Sequence, residues 1–81
     1  ALEWARYGIR VNALAPGWIA TDLTAALTQN SERSAELVGR TPMGRWGKPD
    51  DLAGPALFLA SPGANFITGV LLPVDGGYSS R

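Results

Sequence analysis

The stretch Asn12-Ala13-Leu14-Ala15-Pro16-Gly17-Trp18-Ile19-Ala20-Thr21-Asp22 decides how the chain is read. Its first half carries the small and aliphatic side chains of a buried strand, the Pro16-Gly17 pair halts that strand, and Thr21-Asp22 offers a helix start. A strand that runs through a loop into a helix N-terminus delivers backbone N–H groups to the crevice beyond the carboxyl ends of an open α/β sheet, where ligands bind. The stretch is therefore a candidate binding loop in an α/β fold.

Working outward, the strand extends back to Ile9, so that residues 9–15 put Ile9, Val11, Ala13 and Ala15 on one face and Arg10, Asn12 and Leu14 on the other. Small residues on both faces suit a strand covered by helices, as in parallel sheets. Asn12 is the polar exception, and a buried amide is expected to hydrogen-bond neighbouring backbone. Before the strand, residues 1–7 (A-L-E-W-A-R-Y) read as the end of a helix with Gly8 at its C′ position, Trp4 and Tyr7 packing on its apolar face. The chain opens at Ala1 as if already inside that helix, which points to a piece of something longer.

Downstream, residues 22–28 and 31–38 read as two short helices, the second with Ser31 as N-cap and Gly39 closing it. Together they span 22–39, and two short helices with polar faces over a cleft have the form of a lid. After the irregular run Thr41 to Pro49, a helix is expected over 49–60. Pro49 fits its first position, Asp50 and Asp51 complement the dipole, and Leu52, Ala53, Ala56, Leu57, Leu59 and Ala60 give a broad apolar face. Pro55 lies inside it and predicts a distorted first turn or a kink near Asp51. Residues 61–65 read as a turn and 70–74 as a last strand, which Pro73 assigns to a sheet edge or a fraying end.

Composition narrows the function. Neither cysteine nor histidine occurs among the 81 residues, so no disulfide, no thiolate or imidazole metal site and no histidine-activated nucleophile is expected. Seven basic and seven acidic residues balance, which argues against a nucleic-acid or membrane-surface partner. No apolar run is long enough to span a bilayer, and a cytoplasmic setting is the expectation. A G-x-G-x-x-G fingerprint does not occur in the chain.

Read in order, E-W-A-R-Y-G, I-R-V-N-A-L-A-P-G-W-I-A-T-D, R-W-G-K-P-D-D-L-A, F-L-A-S-P and I-T-G-V-L-L-P-V-D-G-G resemble the C-terminal third of the short-chain dehydrogenase/reductase family. The likeness covers nearly all of the chain; R-W-G-K-P and the final Arg81 make it look most like the sugar-acid members, the gluconate 5-dehydrogenases and 2-dehydro-3-deoxy-gluconate 5-dehydrogenases. The resemblance implies the last two strands, plus helices, of a Rossmann-like doubly wound parallel sheet, incomplete as a stand-alone domain. It implies NAD or NADP as cofactor, a sugar acid or similar alcohol or ketone as substrate, and a homo-oligomer, a tetramer in the family, built on the helix from Pro49 and the strand from Val70. It also implies roles for single residues. Pro16 and Gly17 would shape the turn against the nicotinamide, the Ile19 backbone would bond the carboxamide, and the Thr21 hydroxyl would bond the carboxamide or pyrophosphate. Trp18 would line the nicotinamide loop and the substrate pocket, with simple packing as the alternative.

The family's proton-transfer machinery is a Ser and a Tyr-x-x-x-Lys pair, which would precede Ala1. Tyr7 has no lysine four residues on, Tyr78 lies at the end of the chain, and the sole lysine is Lys48. No catalytic residue is therefore expected within these residues, and the segment alone is expected to be inactive. The competing expectation is a non-catalytic, self-associating module derived from the same family.

Overall fold

A computed structural model describes residues 1–80. Arg81, one of the two features behind the sugar-acid likeness, lies outside the described residues. Two strands, β1 (Ala13–Pro16) and β2 (Leu71–Val74), pair in parallel with Ala13 opposite Leu71 and Pro16 opposite Val74. Parallel partners need a long crossover. Here it contains the helices α1 (Ala25–Gln29), α2 (Ser31–Gly39) and α3 (Pro49–Ala60), of which α3 packs on both strands.

The β1 segment is shorter and later than the 9–15 expected from the sequence, and Asn12 supplies the reason. Its side chain donates to the Ile67 carbonyl (3.1 Å) and accepts from the Val70 N–H (3.0 Å), while the Val11 N–H is taken by the Thr68 hydroxyl (3.1 Å). Side chains thus occupy the positions that ladder bonds would fill, and the regular ladder begins at Ala13, whose N–H donates to Val70 (2.9 Å). At the far end the Gly17 N–H donates to Val74 (3.1 Å). Donors from a parallel strand alternate along the chain. Pro16 falls between two of them, so its missing N–H costs the ladder nothing, and the strand ends within the Pro16-Gly17 pair as expected, one residue later than 15. The same register places Leu72 and Val74 as the inward donors of β2 and turns Pro73 toward the open side, as an edge strand requires. Strand β2 begins at Leu71 rather than residue 70: the Val70 carbonyl joins the ladder, but its N–H goes to the Asn12 side chain.

Other expected boundaries also move. The helix over 1–7 reduces to a single 3₁₀ turn, Ala5–Tyr7, ended by Gly8 in the left-handed region (φ 76°). One turn is too short to repay helix nucleation. Trp4 and Tyr7, expected to pack, are largely exposed, with Arg6 stacked over the Tyr7 ring at 4.9 Å. The first lid helix splits into a 3₁₀ turn at Asp22–Thr24 followed by α1. The cap of α2 is Asn30, whose side chain accepts from the Arg33 N–H (3.2 Å), rather than Ser31. Gly39 stays helical, and Arg40 closes α2 instead. Helix α3 has Pro49 in its first turn and runs through Pro55 unbroken; its tight start is an Asp51 N–H to Lys48 carbonyl bond of 2.8 Å.

The core is small. Leu37, Ala64 and Thr41 are the buried side chains among the described residues, whereas Leu57, Phe58, Phe66, Leu71, Ile9 and Val11 are exposed. The accessible surface is 5891 Å². A self-contained chain of this size would expose about 4,700 Å² by the usual size scaling. The radius of gyration is likewise 15.5 Å, against about 12 Å for a compact domain of this length. The half-layer of apolar surface on β1, β2 and α3 is that of a sheet from which neighbours are missing. Among the described residues no helix is long and apolar enough to cross a membrane.

Candidate functional site

The loop that follows β1 is held from three sides. Gly17 passes so close to Asp75 that an added Cβ would lie 2.7 Å from the Asp75 Cα, which only glycine tolerates without rearrangement. One residue on, the Trp18 carbonyl accepts from the Gly47 N–H (2.9 Å), and the Gly47 carbonyl accepts from the Ala20 N–H (2.9 Å), so the loop forms a one-residue parallel bridge with the run before α3. On the third side the Thr24 hydroxyl donates to the Ile19 carbonyl (2.6 Å) and accepts from the Thr21 N–H (2.8 Å). Among the described residues the Ile19 N–H donates to no protein acceptor.

Trp18 and Ile19 line a cavity of ≈ 190 Å³ beyond the carboxyl end of β1, together with Thr41, Met43, Arg45, Gly47, Asp51, Val74, Asp75 and Gly76. Pro16, Gly17 and Thr21 are not in its wall. Pro16 is exposed as the last residue of β1, Gly17 is pressed against Asp75, and Thr21 is exposed at the start of the 3₁₀ turn with its Oγ1 3.5 Å from that of Thr24. The Trp18 ring meets Trp46 and Tyr78 edge-on, each at 6.4 Å between ring centres, so it packs and borders the cavity at once.

The sequence reading missed several participants. Arg45 forms a two-pronged pair with Asp51 (2.9 and 3.3 Å) on the cavity wall, and Asp51 also accepts the Lys48 N–H (2.7 Å) at the start of α3. Their six-residue spacing across an irregular segment carries no periodic signal. Arg10 donates to the Leu59 carbonyl (2.6 Å), where a cation suits the C-terminal end of α3. Trp46, read only as part of a motif, sends its indole N–H to the Ser34 hydroxyl on α2 (2.8 Å). Asp75 closes the turn after β2 by accepting from the Gly77 and Ser79 N–H groups (both 3.0 Å). Hydrogen bonds from Ser79 and Gly77 hold its carboxyl below the usual range.

The Arg45 hydrogen bond, then the Lys48 N–H, lower the Asp51 carboxyl from 3.8 to about 2. A depressed carboxylate contributes stability that is complete above its unfolded value and is lost as pH falls through the folded one. The loop before α3 is accordingly expected to keep its clamp on acidification to about pH 3 and to release it near pH 2. A carbon-detected NMR titration of Asp51 checks this, with a midpoint at the ordinary carboxylate value as the contrary result.

A parallel strand, a loop with an available N–H, and a cavity at the strand's carboxyl end together define the ligand-side edge of an α/β nucleotide-binding fold. A family model described as enoyl-(acyl carrier protein) reductase matches residues 1–79, and the chain belongs to this group within the short-chain dehydrogenases/reductases. It is similar to the 2-dehydro-3-deoxy-D-gluconate 5-dehydrogenase of Pseudoalteromonas atlantica, 58% identical over 79 residues, covering 98% of this chain and 31% of that protein. The galactitol 2-dehydrogenase (L-tagatose-forming) of Cereibacter sphaeroides is 52% identical over 79 residues, again 98% of this chain and 31% of the relative. Among solved structures, a gluconate 5-dehydrogenase from Burkholderia cenocepacia in complex with NADP and tartrate superimposes with a TM-score of 0.94 at 50% identity, over 99% of this chain and 31% of that one. The chain thus spans about a third of the length of the relatives it matches, and its fold is part of their Rossmann-like sheet.

Proposed function

We propose that these residues are the C-terminal segment of an NAD(P)-dependent oxidoreductase that moves a hydride to or from a hydroxyl or keto carbon of a sugar acid or a closely related polyol. The observation that carries this reading is the Pro16–Thr21 loop. It is fixed at Gly17 and Gly47, bounds the cavity and leaves the Ile19 N–H without an acceptor among the described residues. An N–H in that position suits a carboxamide oxygen, and the exposed Thr21 hydroxyl, two residues along the same loop and outside the cavity wall, adds a second hydrogen-bonding group. The donor set therefore fits a nicotinamide. When bound, that ring would accept or give the hydride; these residues would orient it, with Pro16 and Gly17 setting the turn and Trp18 bounding the substrate side. The named activities and the bound NADP of the relatives support the same chemistry.

In this reading α1 and α2 form the substrate lid, since they pack on each other and the chain leaving α2 enters the cavity wall two residues on, at Thr41. The exposed apolar side chains of α3 and β2, Leu57, Phe58 and Leu71 among them, supply a surface for association between copies. That surface also favours the second reading, a non-catalytic self-associating module. The two part on one assay: the full-length chain carrying this segment is expected to reduce NAD or NADP with a sugar acid or polyol, and a full-length chain without turnover on any such substrate leaves the module. Within the active enzyme, Thr21→Ala is expected to raise KM for NAD(P) by about threefold to tenfold, the span of one net hydrogen bond. An unchanged KM refutes the role of that hydroxyl.

A further inference from the structure

We propose that Trp46 is a positioning residue for the lid: through its indole N–H it holds α2 at a fixed distance from the nicotinamide-side loop. The inference rests on the lid reading above. Three fixed points surround Trp46. Arg45, just before it, is paired to Asp51, and Gly47, just after it, is bridged to Trp18 and Ala20, so the Trp46 backbone moves with the loop and with α3. Its ring lies edge-on to Trp18 at 6.4 Å, and from there the Nε1–H reaches the Ser34 hydroxyl at 2.8 Å. Both residues are half-buried. Among the described residues no other side chain of Ser31–Gly39 is hydrogen-bonded beyond residues 30–41, and this bond ties the polar side of α2 to the loop before α3.

The chemistry of the pair favours a specific latch. An indole N–H can only donate, and a half-buried donor without an acceptor is unfavourable. Withdrawal of α2 therefore leaves the Trp46 donor to water. Ser34 is one turn from the Asn30 cap, and Leu37, one turn further, is buried beneath the same helix. The latch thus fixes the middle of α2, while Leu37 and the Thr41 hydroxyl, bonded to the Leu37 carbonyl at 2.9 Å, fix its C-terminal end. Loss of the latch frees the outer end of the lid and leaves the Pro16–Thr21 loop in place.

The test uses the full-length protein with Trp46→Phe, which keeps a ring against Trp18 and removes the donor, Ser34→Ala, which removes the acceptor, and the two combined. Each single variant is expected to raise KM for the sugar substrate by about threefold to tenfold, the double variant no further, with KM for NAD(P) unchanged. Ser34→Thr, which retains a hydroxyl, is expected to restore the wild-type value. Amide hydrogen exchange over 31–40 is expected to quicken in both single variants, a readout that does not depend on turnover. Unchanged exchange in Trp46→Phe overturns the latch, as does an additive double variant. Quickened exchange with an unchanged sugar KM overturns its role in placing substrate. A wild-type protein without dehydrogenase activity refutes the proposed function instead, and the exchange experiment then decides the latch alone.

Discussion

Gly17→Ala in the full-length protein is expected to abolish measurable saturation with NAD(P) and to lower the melting temperature. The added methyl would sit 2.7 Å from both the Cα and the Cβ of Asp75. Backbone cannot swing aside as a side-chain tip can, so β1 and the turn after β2 must separate. Overpacking of this kind costs about 1–3 kcal/mol in stability. The functional loss is expected to be larger than the stability loss, because the same displacement carries Trp18 and Ile19 away from Gly47. Gly47→Ala is the internal control: its methyl would meet the Ile19 Cδ1 at 2.5 Å, the far end of a flexible side chain. It should be tolerated better. Thermal denaturation and cofactor titration of the two variants measure the difference, and equal effects would show that the approach to Asp75 is not what fixes the loop.

The second large effect concerns the 81 residues on their own. With few buried side chains, an excess of exposed surface and unpaired strand edges on β1 and β2, the isolated chain is expected to self-associate or remain without fixed tertiary packing. Binding of a hydrophobic dye, a broad thermal transition and a sedimentation profile above monomer mass are the expected results. A sharp cooperative melt of a monomer would show that the apolar faces of α3 and the strands need no partner.

Much of the fold was legible because it rests on local chemistry. Pro49, Asp50 and Asp51 mark the start of α3, and Gly8 marks the end of the first turn. The small residues of β1 announce a strand, but, contrary to the expected burial, none of its four residues is buried. Where the reading failed, distant groups decided. The Asn12 amide bonds neighbouring backbone as expected, but nothing near it in sequence names Ile67 and Val70 as the partners or shows that the strand is delayed. The Pro16-Gly17 pair does close the strand, but that Pro16 itself still pairs depends on which side of the ladder its missing N–H falls. The caps of α2 shifted by one residue because Asn30 and Ser31 are both competent and geometry chose between them.

The binding loop itself was visible in the sequence, but the parts that hold it were not. Gly47, Asp75, Trp46 and the Arg45–Asp51 pair lie far from it along the chain, and only the parallel pairing of β1 with β2 and the return of the chain before α3 bring them together. Trp18 both packs against Trp46 and Tyr78 and borders the cavity.

In the proposed function the Ile19 N–H, which has no protein acceptor among the described residues, is reserved for the nicotinamide carboxamide. That role is tested most directly by amide exchange at Ile19 in the full-length protein with and without NADP, and with NAD in a parallel measurement. Strong protection of the Ile19 amide by the preferred cofactor, with the Ala13 and Gly17 amides unchanged because Val70 and Val74 already accept them, is the predicted result. Exchange at Ile19 that is indifferent to either cofactor at saturating concentration would contradict the account.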